Sequence, residues 1–192
     1  MTSEGLGREV VLVPVKAFAQ AKLRLAPALP PPEREALARQ MGQRVLEAAA
    51  PLPTAVVCDD QSVAGWAAAL GALVLWTPSQ GLNGAVEAGV RRLAELSVER
   101  ATVAHADLPM ATTLAWVGEF HGVTLVPDRR RDGTNVMSVP ISSGFRFSYG
   151  PRSFDRHLAE ATRLGLPVRV VDEPSLAFDI DEPADLAALR PA

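Results

Sequence analysis

Val10-Val11-Leu12-Val13-Pro14-Val15-Lys16 is the stretch that decides the fold. Four aliphatic residues follow one another with no polar alternation, which is the pattern of a strand buried on both faces. Val10–Pro14 therefore reads as a central strand of a parallel sheet. The chain then turns basic, with Lys16, Lys22 and Arg24 within nine residues. Pro30-Pro31-Pro32-Glu33 marks the next start, because proline fits the first turn of a helix. From Glu33 to Ala50, Leu37, Met41, Val45 and Leu46 recur at helical spacing, and Pro51 and Pro53 end the run.

The pattern continues outward. Thr54–Cys58, Leu73–Trp76, Thr102–Ala104 and Val123–Val126 read as strands. Ser62–Leu70, Leu82–Leu96 and Leu114–Phe120 read as helices. Strand alternating with helix implies βαβ units, a mostly parallel central sheet and helices on both faces, a three-layer Rossmann-like α/β architecture. The last third is less regular. Asn135–Val139 and Phe145–Phe147 are predicted as strands about the turn Ser142-Ser143-Gly144, a small antiparallel insertion. Ser153–Leu164 is predicted as a helix ended by Gly165, Val168–Val171 as a strand, and Asp185–Leu189 as a final helix with Pro183 in its first turn. A single domain over residues 1–192 is expected, with 1–9 flexible and Trp66, Trp76 and Trp116 in the core.

Composition narrows the function. Lys plus Arg is 19 and Asp plus Glu 22, a net charge of −3 that argues against a nucleic-acid or membrane surface as partner. No apolar run approaches the ~18 residues that would span a bilayer. The polar start, with Glu4, Arg8 and Glu9, lacks the apolar centre of a signal peptide. Cys58 is the one cysteine, which excludes an internal disulfide and a multi-cysteine zinc site. A cytoplasmic setting is the default expectation.

Chemistry gathers where apolar runs end, the edge at which open α/β sheets bind ligands. Lys16, Lys22 and Arg24 could hold a triphosphate, arginine by two oxygens at once, or form a solvated basic loop. Asp107, in Ala106-Asp107-Leu108-Pro109, could ligate Mg²⁺ or cap a helix. Asp179 and Asp181 share one face of an extended backbone, and two carboxylates held together call for a cation; Asp181 could equally start the helix at Pro183. Asp132-Gly133-Thr134-Asn135 and Tyr149-Gly150-Pro151-Arg152-Ser153 together could grip a small phosphorylated acid, although Ser153 alone reads as a helix cap. Asn83 could meet a base or ribose, or cap a helix. His105, His121 and His157 lack metal-ligand spacing and read as structural or exposed. Walker A and Gly-x-Gly-x-x-Gly motifs are absent.

In their order, Val-Pro-Val-Lys, Ala-Lys-x-Arg-Leu, Gly-Leu-Asn, Ala-Asp-Leu-Pro, Gly-Thr-Asn, Tyr-Gly-Pro-x-Ser and Asp-Ile-Asp-x-Pro-x-Asp-Leu resemble the CofC/FbiD guanylyltransferases over about Val11 to Leu189. The resemblance implies the nucleotidyltransferase fold and a reaction in which GTP gives GMP to phosphoenolpyruvate or 2-phospho-L-lactate, with Mg²⁺, in coenzyme F-420 biosynthesis. A same-fold enzyme with another base or acceptor, such as 3-phosphoglycerate, and a silent nucleotide-binding module are the alternatives. By the same resemblance Asp107, Asp179 and Asp181 match the metal positions. Thr134, Gly150 and Ser153 match the acceptor positions, and Lys16, Lys22 and Arg24 the nucleotide loop. A downstream transferase of the same pathway is the implied partner. Family members often read Gly-Thr-Gly-Thr-Asn where this chain has Arg131-Asp132-Gly133-Thr134-Asn135.

Overall fold

A computed structural model describes residues 6–188; Glu4 and Leu189, named above, lie outside them. Seven strands form one sheet in the order β3-β2-β1-β4-β6-β5-β7. They are β1 (Glu9–Pro14), β2 (Thr54–Cys58), β3 (Leu73–Trp76), β4 (Arg100–Ala104), β5 (Val123–Pro127), β6 (Thr134–Pro140) and β7 (Val168–Val170). The helices are α1 (Pro31–Ala48), α2 (Gln61–Ala69), α3 (Gly81–Glu95), α4 (Ser153–Arg163), α5 (Pro174–Ala177) and α6 (Pro183–Ala188). The mostly parallel sheet between helical layers is the expected architecture.

The opening strand explains the layering. Val10, Val11, Leu12 and Val13 are all fully buried. Val11 and Val13 face one apolar cluster with Val45 of α1 and Val63 of α2. Val10 and Leu12 face the other, with Val86 and Leu93 of α3 and Phe154 of α4. Side chains alternate across a strand, so one apolar run serves two cores. Packing on the α3 side is close. A Cβ on Gly89 would stand 2.6 Å from Val57 Cγ1 and 3.1 Å from a Leu12 methyl, so alanine there would overpack the core.

A third small cluster joins distant segments. Leu25 from the basic loop, Met41 from α1, and Phe178 and Ile180 from the C-terminal acidic stretch are buried together. Burying these side chains, each worth about 1.5–3 kcal/mol, holds the loop against that stretch.

Four readings need correction. Phe145–Phe147 is not a strand: Ile141–Ser143 forms a 3-10 turn, Gly144 takes a left-handed φ of 67°, and the Phe145 and Phe147 rings fill the α3/α4 side of the core. The antiparallel element is β6, and its partners are β4 and β5 of the main sheet, not Phe145–Phe147. Leu114–Phe120 is a 3-10 turn over Ala115–Glu119. The run before Asp179 is the short helix α5, so the acidic pair does not follow a strand. In addition, Trp76 is 51% exposed at the end of an edge strand, outside the core. Among the described residues no helix is long and apolar enough to cross a membrane.

Candidate active site

The chain runs from β1 to β2 and β3 on one side, then returns to place β4 on the other side of β1. The carboxyl ends of β1 and β4 therefore flank a topological switch point, where open α/β sheets leave a crevice. Lys16 follows β1 there and Asp107 follows β4. Because β6 is antiparallel, its first residues Thr134 and Asn135 lie at the same edge, with Val136 opposite Ala104.

A cavity of ≈ 370 Å³ opens at this crevice, lined by Lys16, Lys22, Arg24, His105, Asp107 and Asp181 among others. Its polar centre is one ammonium. Lys22 Nζ donates to Asp107 Oδ2 at 2.6 Å and to Asp181 Oδ1 at 3.0 Å. The Lys22 side chain is only 10% exposed. Arg24 lies 3.7 Å from the other Asp181 oxygen and remains 75% exposed. Lys16 is exposed on the rim.

Local structure explains this convergence. Lys22 takes a left-handed φ of 52° between the turns Phe18–Gln20 and Leu23–Leu25, which reverses the chain and carries its side chain inward. Arg34 of α1 steadies the loop by donating to the Ala21 carbonyl at 3.1 Å. On the opposite wall, Ile180 is fully buried between Asp179 and Asp181, and its N–H reaches the Asp107 carbonyl at 3.4 Å. Asp185 holds the main chain of Asp181 and Glu182 through their N–H groups, at 2.9 and 2.8 Å, and accepts from Arg129 at 2.7 Å.

The charges tune one another. Burial works to raise the Asp107 carboxyl, but the Lys22 charge and hydrogen bond, with His105 adding to them, outweigh it and hold the group below its usual range. Burial works to lower Lys22, yet Asp107 and Asp181 together keep its ammonium above its usual range. Asp179 goes the other way: burial first, then the charges of Asp107 and Asp181, push its carboxyl up. Asp179 lines a neighbouring cavity of ≈ 410 Å³ shared with Arg24, Asp132 and Asp181.

The donor set suits a cation that takes most of its ligands from elsewhere. Among the described residues no three acidic, histidine or cysteine side chains form a metal cluster. Asp107 Oδ1, however, is buried and has no hydrogen-bond partner among the described residues. An unpaired carboxylate oxygen beside Asp181 fits a hard cation of the Mg²⁺ kind, which binds through one or two carboxylates plus phosphates and water.

Thr134, Gly150 and Ser153 are brought together but line neither of these two cavities. Ser153 Oγ accepts from the Thr134 N–H at 3.1 Å, and the Ser153 N–H donates to the Gly150 carbonyl at 3.0 Å. Thr134 and Ser153 are buried, while Gly150, with a φ of 116° that suits only glycine, stays exposed. Asn83, a candidate base or ribose contact, is already engaged within the protein. Its amide is taken at both ends by the Tyr149 main chain, accepting from the N–H at 2.6 Å and donating to the carbonyl at 3.3 Å. It does not cap α3 either, since Gln80 is the residue before that helix.

Two contributors escaped the sequence reading. Asp185 had a usable signal, an acidic residue two places after the helix-starting Pro183. His157 had one as well: Ser153, His157 and Ala161 fall at helical spacing on the buried face of α4.

The departure at Arg131-Asp132 is accommodated. Arg131 adopts a φ of 56°, pairs with Asp172 and lies over the Phe154 ring at 4.9 Å. Asp128 ties the loop by accepting from the N–H groups of Arg130, Asp132 and Gly133 at 3.0, 3.0 and 2.9 Å.

Residues 9–190 match the family described as "Guanylyl transferase CofC like". The chain is 39% identical over 188 residues to a phosphoenolpyruvate guanylyltransferase of Rubrobacter xylanophilus, covering 93% of this chain and 92% of that one. It is 34% identical over 200 residues to a 2-phospho-L-lactate guanylyltransferase of Halorubrum lacusprofundi, covering 93% and 82%. In fold it is similar to a cytidylyltransferase from Leptospira borgpetersenii, with a TM-score of 0.62 at 12% identity over 95% of this chain and 84% of that one.

Proposed function

The chain belongs to the CofC-like guanylyltransferase family, and on that premise we propose that it transfers GMP from GTP to the phosphate of a three-carbon acid, releasing pyrophosphate. Phosphoenolpyruvate is the acceptor we favour over 2-phospho-L-lactate, since the relative named for it is the more similar of the two, 39% against 34%. The step would serve assembly of the deazaflavin coenzyme F-420.

The observation that carries this reading is the Lys22 ammonium lodged between Asp107 and Asp181 at the switch-point cavity. The reaction brings two anions together, and its barrier is largely charge repulsion. An oxygen of the acceptor phosphate attacks the α-phosphorus of GTP while the bond from that phosphorus to the bridging oxygen breaks, and the electron pair leaves on pyrophosphate. A phosphate monoester with a second pKa near ~6 is already mostly dianionic at neutral pH, so no general base is needed. Lys16 and Arg24 on the rim and Lys22 within would bind and orient the triphosphate and offset charge on the leaving group. Asp107 and Asp181 would hold a divalent cation, Asp179 standing beside them. When bound, that cation would supply positive charge shared among the phosphate oxygens. Thr134, Gly150 and Ser153 would frame the acceptor subsite, reached through the exposed Gly150 turn.

The test is a pyrophosphate-release panel: GTP, ATP, CTP and UTP, each with phosphoenolpyruvate, 2-phospho-L-lactate or 3-phosphoglycerate and Mg²⁺. Release confined to GTP with one of the first two acids is expected. Release with CTP, or with 3-phosphoglycerate alone, would move the enzyme to a different base or acceptor.

A further inference from the structure

The chemistry above makes no use of the buried imidazole of His157. The ring is fully buried on α4, four residues after Ser153. Its Nε2 lies 2.9 Å from the Ser148 main-chain nitrogen. A main-chain N–H can only donate, so Nε2 accepts and carries no proton. A neutral imidazole then keeps its proton on Nδ1. Nδ1 is 3.0 Å from Thr134 Oγ1, so the ring donates and the threonine oxygen accepts. The Thr134 N–H in turn donates to Ser153 Oγ.

One ring thus joins three segments: the start of β6 at Thr134, the chain entering the Gly150 turn at Ser148, and α4 itself. Aromatic neighbours close it off, with the Tyr149 ring edge-on at 4.9 Å and the Phe145 ring at 5.9 Å. Asn83 grips the next residue, Tyr149, from the α3 side. The turn is therefore held from three directions, by Asn83, by Ser153 and by His157; the last two reach Thr134, Ser153 at its main-chain N–H and His157 at its side-chain hydroxyl.

We propose that His157 is a positioning residue for the acceptor: its neutral ring fixes the separation between Thr134 and the Gly150 turn, so that the acceptor meets a preformed subsite. This rests on reading Thr134, Gly150 and Ser153 as the acceptor subsite. The ring touches neither the basic loop nor the Asp107–Asp181 pair, so its loss acts on one substrate and spares the other. A purely structural residue would affect both.

Steady-state kinetics with GTP and phosphoenolpyruvate, the KM of each measured separately, decide the matter for His157→Ala, His157→Asn, Thr134→Val and Ser153→Ala. Asparagine keeps a donor near the Nδ1 position and loses the Nε2 acceptor. Loss of one or two hydrogen bonds predicts about a tenfold or larger rise in the phosphoenolpyruvate KM for His157→Ala, Thr134→Val and Ser153→Ala. The GTP KM should stay within about twofold of wild type, and His157→Asn should recover part of the loss. If His157→Ala does not fold, His157→Asn and Thr134→Val carry the test. A raised acceptor KM in Ser153→Ala with wild-type values in the His157 variants overturns the inference and leaves the subsite standing. Unchanged acceptor binding in Ser153→Ala removes the subsite, and the inference with it. Equal rises for both substrates in His157→Asn make the ring a general prop and overturn it too.

Discussion

The two ends of the site are built in opposite ways. At the end we propose for the nucleotide, charge predominates: Lys22 sits between Asp107 and Asp181, one Asp107 oxygen has no partner among the described residues, and Lys16 and Arg24 stand exposed at a cavity. At the end we propose for the acceptor, Thr134, Ser153 and His157 are buried and already joined by hydrogen bonds through Thr134. Charges left for a ligand to claim suit a triphosphate with its cation, whose binding must overcome repulsion. Neutral groups that satisfy each other suit a small acid whose orientation decides the line of attack. Preorganisation is electrostatic at one end and steric at the other.

The contrast is broken most severely at Asp107. Asp107→Asn keeps the shape and removes the charge, so kcat should fall by roughly 10²–10³ or more while circular dichroism stays native. Near wild-type turnover at saturating Mg²⁺ would take Asp107 out of the reaction. Lys22→Met should cost stability as well as activity, since it leaves two carboxylates without their shared cation. We expect a loss of about 2–4 kcal/mol in urea denaturation at pH 7, toward the low end because Asp181 is half exposed. In the wild type, the Asp107 contribution exists above the normal carboxylate range and vanishes as pH falls through its lowered value. The Lys22 contribution exists below the normal lysine range and vanishes as pH rises through its raised value. An unchanged denaturation midpoint in Lys22→Met would show that the bridge contributes nothing to the fold.

The neutral end has its own pH signature. Burial first, then the charge of Arg156 on its own helix and the His105 side chain, push the His157 imidazole down to about 4 from its ordinary 6.5. The unfolded chain takes up that proton earlier than the folded one. Stability should therefore fall as pH drops from 6.5 toward 4, by on the order of 3 kcal/mol. His157→Asn should flatten this limb, and an identical limb in the variant would assign it elsewhere. The smallest effect is expected at Arg131. Glycine would relieve the left-handed backbone and forfeit the exposed pair with Asp172, a net change within about 1 kcal/mol by thermal melting. A larger loss would mean that the Arg131 side chain organises the acceptor loop.

How much of this could be read in advance follows from the range of the interactions. Val10–Val13 announced a doubly buried strand because strand patterning is local. Asp107 was visible because it stands just beyond an apolar run. Phe145–Phe147 misled because a short apolar run has the same appearance whether it pairs as a strand or packs its rings on helices. The acidic pair is legible from its two-residue spacing, whereas the helical turn Pro174–Ala177 before it is not, because four residues are too few to show a helical period. That Lys22 would settle between two carboxylates was out of reach, because Lys22 and Asp181 are 159 residues apart and are brought together by tertiary packing such as the Leu25–Ile180 cluster. The Asn83 grip on Tyr149 spans 66 residues and leaves no local pattern.

Phosphorus NMR of the reaction with GTP, Mg²⁺ and phosphoenolpyruvate tests the central claim most directly. The account predicts an unsymmetrical diphosphate, joining the guanosine and enolpyruvyl units, that grows in step with inorganic pyrophosphate as the GTP signals decay. GDP with orthophosphate, or unchanged GTP in the presence of a folded protein that binds it, would contradict the account.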